Sequence, residues 1–160
     1  MLIGRKNETQ VLLDALNADE AQFVAVYGRR RVGKTFLIRQ TLRDQFVFQH
    51  SGVANSPKYI QLQAWQESLS EAGLQVAPLR NWMDAFSALK QLIKTSKKKK
   101  KVIFLDELPW MDTQASYFLP ALEHFWNSWA SARNDLMLVV CGSATSWIIR
   151  KVIQNHGGLH

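Results

Sequence analysis

Apolar residues follow two alternating patterns along this chain: short continuous runs, and longer stretches in which they recur every three or four positions. The short runs predict buried strands at residues 23–27, 46–48, 102–105 and 136–140. The longer stretches predict helices, whose first apolar residues are Val11, Phe36, Ile60, Trp82, Phe118 and Trp147. Strands that alternate with helices favour an α/β fold with three layers, in which a parallel sheet carries helices on both faces.

Local signals indicate where two of these helices begin. Asn7 and Gln10 have the spacing of a capping box, so the first helix is expected to start just after Asn7. Pro120 is expected in the first turn of the helix that begins at Phe118, where a proline is tolerated. Trp65 and Trp82, which lie in two of the helical stretches, are interpreted as core residues rather than as ligand platforms.

The first predicted strand leads into residues 28–35, whose sequence Gly-Arg-Arg-Arg-Val-Gly-Lys-Thr fits the phosphate-binding P-loop, G-x-x-x-x-G-K-[ST]. Gly28 and Gly33 permit a tight backbone that approaches a polyphosphate closely, and the following helix adds free N–H groups and a positive dipole end. Lys34 would contact the β- and γ-phosphates, and the Thr35 hydroxyl would bind Mg²⁺. The alternative is a glycine-bearing turn without a ligand, but the order strand, loop, helix favours a nucleotide site.

The whole loop and the residue after it are assigned to nucleotide binding: Gly28, Arg29, Arg30, Arg31, Val32, Gly33, Lys34, Thr35 and Phe36. The three arginines occupy the variable positions of the motif. Their side chains are expected to face solvent or neighbouring acids, and a contact with a partner is the alternative.

A second nucleotide-site signal follows the third predicted strand, where Asp106 and Glu107 come directly after an apolar run. Strand ends at the carboxyl edge of a parallel sheet face the ligand crevice. Asp106 is expected to hold Mg²⁺, through water, because Mg²⁺ keeps several waters in such sites. Glu107 is expected to orient and polarise the water that attacks the γ-phosphate. The alternative is a solvated acidic turn before Pro109.

The fourth predicted strand is followed by residues 141–145, Cys-Gly-Ser-Ala-Thr. Ser143 is the candidate for a side chain that contacts the γ-phosphate or the attacking water, which completes a predicted catalytic set with Lys34 and Glu107. The alternative is that Ser143 or Thr145 caps the helix that follows.

Length and composition limit the class of protein. A chain of 160 residues is expected to be one domain, residues 1–160, and it contains no apolar run of the ~18 residues that a transmembrane helix needs. Cys141 is the only cysteine and the N-terminus has no signal-peptide pattern, so a cytoplasmic location is expected. The four histidines lack metal-ligand spacing.

The formal net charge is +7, and residues 97–101 are five consecutive lysines. This lysine run is interpreted as a solvated connector between a helix and a strand. The alternative is a weak contact with nucleic acid or another polyanion, which the lack of interleaved aromatic residues disfavours.

Four segments together resemble the archaeal ATPase family, a group of prokaryotic AAA-type P-loop ATPases related to the STAND switch ATPases: residues 4–8, 27–35, 105–111 and 141–147. The resemblance implies an extra strand between the strands that carry the P-loop and the acidic pair. It also implies that Ile3, Gly4 and Arg5 lie near the adenine and that Ser143 is the sensor.

Members of the resembled family continue into a fifth core strand, a helical lid with a second sensor, and often a further domain. The chain is therefore expected to be an N-terminal part of such a protein. The strand at residues 23–27 is then expected to have an exposed edge that recruits a second copy, another chain or the terminal residues. Without the lid and the second sensor, loose nucleotide binding and slow turnover are expected.

The predicted function is ATP binding with Mg²⁺-dependent hydrolysis, so ATP or ADP and Mg²⁺ are the expected cofactors. One alternative is a nucleotide-controlled switch or scaffold with little hydrolysis, which the missing lid favours. A small-molecule kinase is disfavoured by the acidic pair, because a kinase excludes water rather than activating it. A nucleic-acid-binding module would depend on the lysine run.

Overall fold

The computed structural model describes residues 2–28, 33–143 and 146–158, and for residues 2–6 it describes the backbone alone. The helices are α1 (Leu2–Asn17), α2 (Lys34–Leu42), α3 (Lys58–Glu71), α4 (Trp82–Thr95), α5 (Leu108–Met111), α6 (Phe118–Ser128) and α7 (Trp147–His156). The strands are β1 (Gln22–Gly28), β2 (Phe46–Ser51), β3 (Lys101–Asp106) and β4 (Leu136–Ser143). None of these described helices has the length and apolar character needed to cross a membrane.

The strands form one parallel sheet in the order β1-β4-β3-β2. Strand β4 lies between β1 and β3, which is the extra strand that the family resemblance implied. Because all strands run in the same direction, their carboxyl ends meet at one edge, formed by Gly28, Ser51, Asp106 and Ser143. The predicted α/β fold with a parallel sheet is confirmed.

Helices cover both faces of the sheet. On one face, Leu12 of α1 and Ile38 of α2 pack in a cluster with Phe104 of β3. On the other face, α3, α4, α6 and α7 supply the larger cluster, which includes Trp65 and Phe125. Strands buried on both faces have no polar side to display, which explains why they appear in the sequence as continuous apolar runs.

Aromatic rings connect the helices of the larger layer. The rings of Trp65 in α3 and Trp82 in α4 lie 5.4 Å apart, and Trp82 is 4.7 Å from Phe118 at the start of α6. Trp65 and Trp82 are fully buried, and the Trp65 indole donates a hydrogen bond to the Ala85 carbonyl oxygen. The prediction that these tryptophans belong to the core is confirmed.

Three local predictions differ from the structure. Helix α1 begins at Leu2, so Asn7 lies inside the helix rather than at its cap, and the Gln10 side chain donates to Asp14 one turn later. The apolar residues at helical spacing that start at Phe118 extend to Trp129 in the sequence, whereas helix α6 ends at Ser128. The short helix α5 was not predicted, because four residues carry no recognisable period.

The two edges of the described sheet have different surroundings. At the β1 edge, the Phe23 ring stacks on His156 of α7 with centroids 4.1 Å apart. A Cβ atom on Gly158 would lie 3.1 Å from the Ala25 carbonyl oxygen, so the residues after α7 lie against β1. This agrees with terminal residues covering the edge, whereas self-association through β1 stays a prediction. The β2 edge has no strand beside it among the described residues.

The lysine run is tied to loops at the amino edge of the sheet. The ammonium groups of Lys98 and Lys100 donate to the carbonyl oxygens of Asp44 and Ala18 at 2.8 and 2.6 Å. Lys101 forms an ion pair with the carboxylate just before β4. The first four lysines therefore connect α4 and β3, as interpreted, whereas Lys101 is the buried first residue of β3 and not part of a solvated connector.

Burial of His50 on β2 predicts a loss of stability in acid. Burial lowers the pKa of this imidazole from the usual 6.5 to about 4, so the unfolded chain takes up a proton before the folded chain does. The contribution of neutral, buried His50 to the free energy of unfolding is therefore complete above pH 6.5, and it is lost as the pH falls towards 4. Urea unfolding measures the free energy of unfolding at pH 7 and at pH 4. Between these two pH values, this free energy should fall by roughly 3 kcal/mol less in His50→Gln than in the wild type. An identical pH dependence for both proteins would refute this assignment.

Candidate active site

The two glycines of the P-loop have backbone conformations that other residues rarely adopt. Gly28 has φ 141° and Gly33 has φ 73°, and Gly33 is the cap residue of α2, whose carbonyl oxygen accepts the Leu37 N–H at 2.9 Å. The chain can therefore turn sharply from β1 into α2. Arg29, Arg30, Arg31 and Val32 lie outside the described residues, so the predictions made for them are not addressed.

Lys34 joins the two ends of the P-loop. Its side chain is only 8% exposed, and its ammonium group donates a hydrogen bond to the Gly28 carbonyl oxygen at 3.0 Å. The bond links the first residue of α2 to the last residue of β1. It holds a positive charge at the loop, where the motif requires a cation for phosphate oxygens.

Thr35 and Asp106 connect the P-loop with the end of β3. The Thr35 hydroxyl donates a hydrogen bond to Asp106 Oδ2 at 2.7 Å, across 71 positions of sequence. Asp106 Oδ1 accepts the backbone N–H of Glu107 at 2.9 Å, and the Asp106 carbonyl oxygen accepts the N–H of Gly52 at 3.0 Å. The carboxylate is thus held on both oxygens and faces the start of α2.

The donor set of Thr35 and Asp106 fits Mg²⁺. Hydroxyl and carboxylate oxygens are donors that Mg²⁺ prefers, and these two lie 2.7 Å apart, so Thr35 would bind the ion and Asp106 would hold it through water. The hydroxyl uses its hydrogen towards the carboxylate, so its lone pairs are available for a cation.

Glu107 adopts a left-handed backbone conformation, φ 51° and ψ 41°, at the cap of α5. Its carboxylate Oε2 accepts a hydrogen bond from the Trp110 indole Nε1 at 3.1 Å. The two neighbouring acids therefore have different surroundings, since Asp106 is 8% exposed and faces Thr35, whereas Glu107 turns towards an indole. The alternative prediction for Asp106 and Glu107, a solvated acidic turn before Pro109, therefore does not fit these contacts.

Sequence reasoning missed Trp110 and Gly52. A Cβ atom on Gly52 would lie 3.0 Å from the Trp110 Cβ and closer still to the Glu107 carbonyl oxygen. Only a glycine lets the loop after β2 pass this close to the acidic turn. The one available signal was the tryptophan three residues after Glu107, since a short helical turn brings such residues together.

Ser143 ends β4, where its Cα is paired with that of Gly28 at the start of the P-loop. The predicted alternative, a helix cap by Ser143, is wrong because Ser146 occupies the cap position of α7 and its carbonyl oxygen accepts the Arg150 N–H. The Ser143 carbonyl oxygen instead accepts the backbone N–H of Ser146. Thr145 lies outside the described residues, and the sensor role of Ser143 stays a prediction.

Cys141 lies on β4 beside the acidic residues. Burial, with a smaller contribution from the negative charge of Asp106, raises the pKa of its thiol to about 12. The thiol therefore remains protonated at neutral pH and packs with the α2 layer of the core.

The remaining predicted residues lie on the helices around the loop. Phe36 is 66% exposed in the first turn of α2. Ile3, Gly4 and Arg5 belong to the first turns of α1, where only the backbone is described. Their predicted position near the adenine is therefore not addressed.

Two solved structures illustrate what this fold is similar to. A Walker-type ATPase of Pyrococcus abyssi is similar over 93% of this chain and 48% of its own, with a TM-score of 0.66 and 16% identity. A chain in the structure of Drosophila ORC bound to DNA is similar over 98% of this chain and 40% of its own, with a TM-score of 0.64 and 15% identity. Identities this low show the fold alone, and the chain spans less than half the length of either structure.

The sequence places the chain more narrowly. Residues 2–160 match a family described as an ATPase domain predominantly from Archaea, and the chain belongs to this family. An ATP-binding protein of Methanocaldococcus jannaschii is 42% identical over 45 residues, which are 28% of this chain and 76% of the relative. A second protein of that organism is 23% identical over the whole chain, which spans 34% of the relative. The family membership supports nucleotide binding.

Proposed function

We propose that this domain binds ATP together with Mg²⁺ and hydrolyses it to ADP and phosphate in the cytoplasm. The observation that carries the proposal is the 2.7 Å hydrogen bond between Thr35 and Asp106, which joins the P-loop helix to the acidic end of β3. Lys34 is the sequence neighbour of Thr35, and Glu107 is the sequence neighbour of Asp106. The hydrogen bond between Thr35 and Asp106 therefore brings the chain segments that carry the lysine and the second acid together. A phosphate chain that contacts Lys34 would meet both oxygens.

Each residue has a separate task in this mechanism. The loop amides and Lys34 bind the phosphates, and Thr35 and Asp106 hold Mg²⁺, which neutralises phosphate charge when bound. Glu107 orients the attacking water and accepts its proton. The Trp110 indole holds the Glu107 carboxylate in one orientation, and Ser143 at the tip of β4 contacts the γ-phosphate or the water.

A nucleotide-controlled switch with little hydrolysis is the second candidate, and the bond between Trp110 and Glu107 is the observation that favours it. An indole that occupies one carboxylate oxygen can orient the acid for water or hold it away from water. The two candidates therefore predict opposite effects when the indole N–H is removed.

A weak nucleic-acid contact through the lysine run remains a prediction. The Drosophila structure with a similar fold is bound to DNA, which motivates the idea for this chain. The ties of Lys98, Lys100 and Lys101 to protein oxygens count against it, because phosphate contacts would have to replace them.

Removal of Lys34 should abolish stabilisation by nucleotide. Mg·ATP at a hundredfold excess over its Kd should stabilise the wild type by about 2.7 kcal/mol, and Lys34→Ala should lose most of this shift because the phosphates lose their cation. Thermal melts with and without nucleotide measure the effect. The control is Lys151→Ala on the exposed face of α7, which should retain the full shift. A wild type that melts at the same temperature with millimolar nucleotide would contradict the site.

Substitution of the second acid should separate binding from hydrolysis. Glu107→Gln should retain ATP affinity while turnover falls by roughly 10²–10⁴-fold, because the amide is a poor base. Asp106→Asn should instead weaken the Mg²⁺-dependent part of binding. Phosphate release and nucleotide titrations with and without Mg²⁺ distinguish the two, with the exposed Glu67→Gln as control. Equal turnover by wild type and Glu107→Gln would remove Glu107 from the mechanism.

Trp110→Phe should keep the ring packing and remove the indole N–H. If the indole orients Glu107 for water, turnover should fall by about tenfold while the KM for ATP stays constant, since one hydrogen bond to a charged group contributes ~1.5 kcal/mol or more. Steady-state kinetics measures both quantities. A rise in turnover would instead support the switch, in which the indole restrains the acid.

A further inference from the structure

The outer edge of β2 forms the floor of a groove. Among the described residues β2 pairs only with β3, so the backbone N–H and C=O groups on its other side have no strand partner. A cavity of ≈ 670 Å³ runs along this edge, and all six residues from Phe46 to Ser51 line it. Six extended residues correspond to a groove roughly 20 Å long.

The walls of the groove come from the helices on the two faces of the sheet. Arg39 of α2 and Arg43, the residue just after that helix, line one wall, and Ser68 and Glu71 of α3 line the other. A strand edge between two helix layers has the shape that an added extended segment fills, because the segment continues the sheet and its side chains lie along both walls.

The charges on the α2 wall favour an acidic occupant. Arg39 and Arg43 are one helical turn apart and exposed, and neither forms an ion pair with another residue in the described part of the chain. Two adjacent cations without a counterion favour carboxylates on the segment that lies beside them.

The same charges disfavour a second copy of this chain. Two copies that paired antiparallel through β2 would place α2 beside α2 in a continuous sheet. Arg39 and Arg43 of both copies would then face each other, and like charges at such an interface cost several kcal/mol. The groove therefore fits a different chain better than its own copy.

Side chains of β2 point alternately to the two faces of the sheet, and this alternation indicates which residue types an added segment would need on each face. Phe48 and His50 lie on the α3 side, where both rings lie near Trp65. Gln49 and Ser51 alternate with them and are exposed, which puts them on the α2 side. The register of β2 shifts between Phe46 and Phe48, so this alternation applies to residues 48–51. A strand added beside them would follow it, with acidic residues towards α2 and small apolar residues towards α3.

We propose that the β2 edge binds an extended segment of another protein by strand addition, with the acidic side chains of the segment on Arg39 and Arg43. The proposal does not depend on ATP hydrolysis. The groove does reach Asp106 at its upper end, where the Gly52 N–H bonds the Asp106 carbonyl oxygen. An occupant would therefore end close to the nucleotide site.

The test uses an acetylated, fluorescent eight-residue peptide in which valine alternates with glutamate, and a partner peptide with lysine in place of glutamate. Fluorescence anisotropy without nucleotide should show saturable binding of the glutamate peptide, at least tenfold tighter than the lysine peptide. The double variant Arg39→Glu, Arg43→Glu should reverse this preference. The control Arg150→Glu, Lys151→Glu, on the exposed face of α7, should leave it unchanged.

Two further measurements separate strand addition from simple charge attraction. N-methylation of alternate peptide amides on the side that faces β2 should abolish binding, whereas methylation of the other set should not. Hydrogen exchange should slow at β2 amides when the glutamate peptide binds. Absence of saturable binding, equal binding of both methylated peptides, or no reversal by the arginine variants would overturn the proposal. Dimerisation of the chain that the glutamate peptide disperses would make a second copy the occupant and would also overturn it.

Discussion

The hydrogen bond between Thr35 and Asp106 is the contact on which the arrangement of the site depends. It forms because Ile38 of α2 packs against the sheet in the same cluster as Phe104, two residues before Asp106 on the same face of β3. Burial of α2 thus sets the position of its first turn, and the acid at the end of the strand arrives beside it. Helix packing and site geometry therefore have one cause.

The loop after β3 gives two neighbouring carboxylates different surroundings. Asp106 is the last residue of the strand and remains buried, whereas the left-handed conformation of Glu107 turns the chain away into α5. The indole of Trp110, in that short helix, donates a hydrogen bond to the Glu107 carboxylate. Gly52 has no side chain, which leaves space for the turn at Glu107. The two acids proposed to hold the cation and to orient water therefore differ in position although they are consecutive in sequence.

The edges of the sheet divide the protein into a covered side and an accessible side. Helix α7 and the residues after it lie along β1, where Phe23 stacks on His156. On the opposite side no described strand pairs with the outer edge of β2, which lies between Arg39 and Arg43 on one wall and the polar residues of α3 on the other. The proposed nucleotide site is at the carboxyl ends of the strands, so it is close to both edges and adjoins the β2 edge through Asp106.

The order of strands and helices, the P-loop and the acidic pair were predictable from residue patterns alone. A strand buried on both faces must be apolar throughout, and a phosphate loop needs its glycines, lysine and hydroxyl at set positions. The bond from Trp110 to Glu107, the close approach at Gly52 and the cap at Ser146 were not predictable. Each depends on how distant elements pack or on where a turn ends, and no local period records those distances. The pairing order that leaves β2 at the edge likewise arises only when the strands assemble.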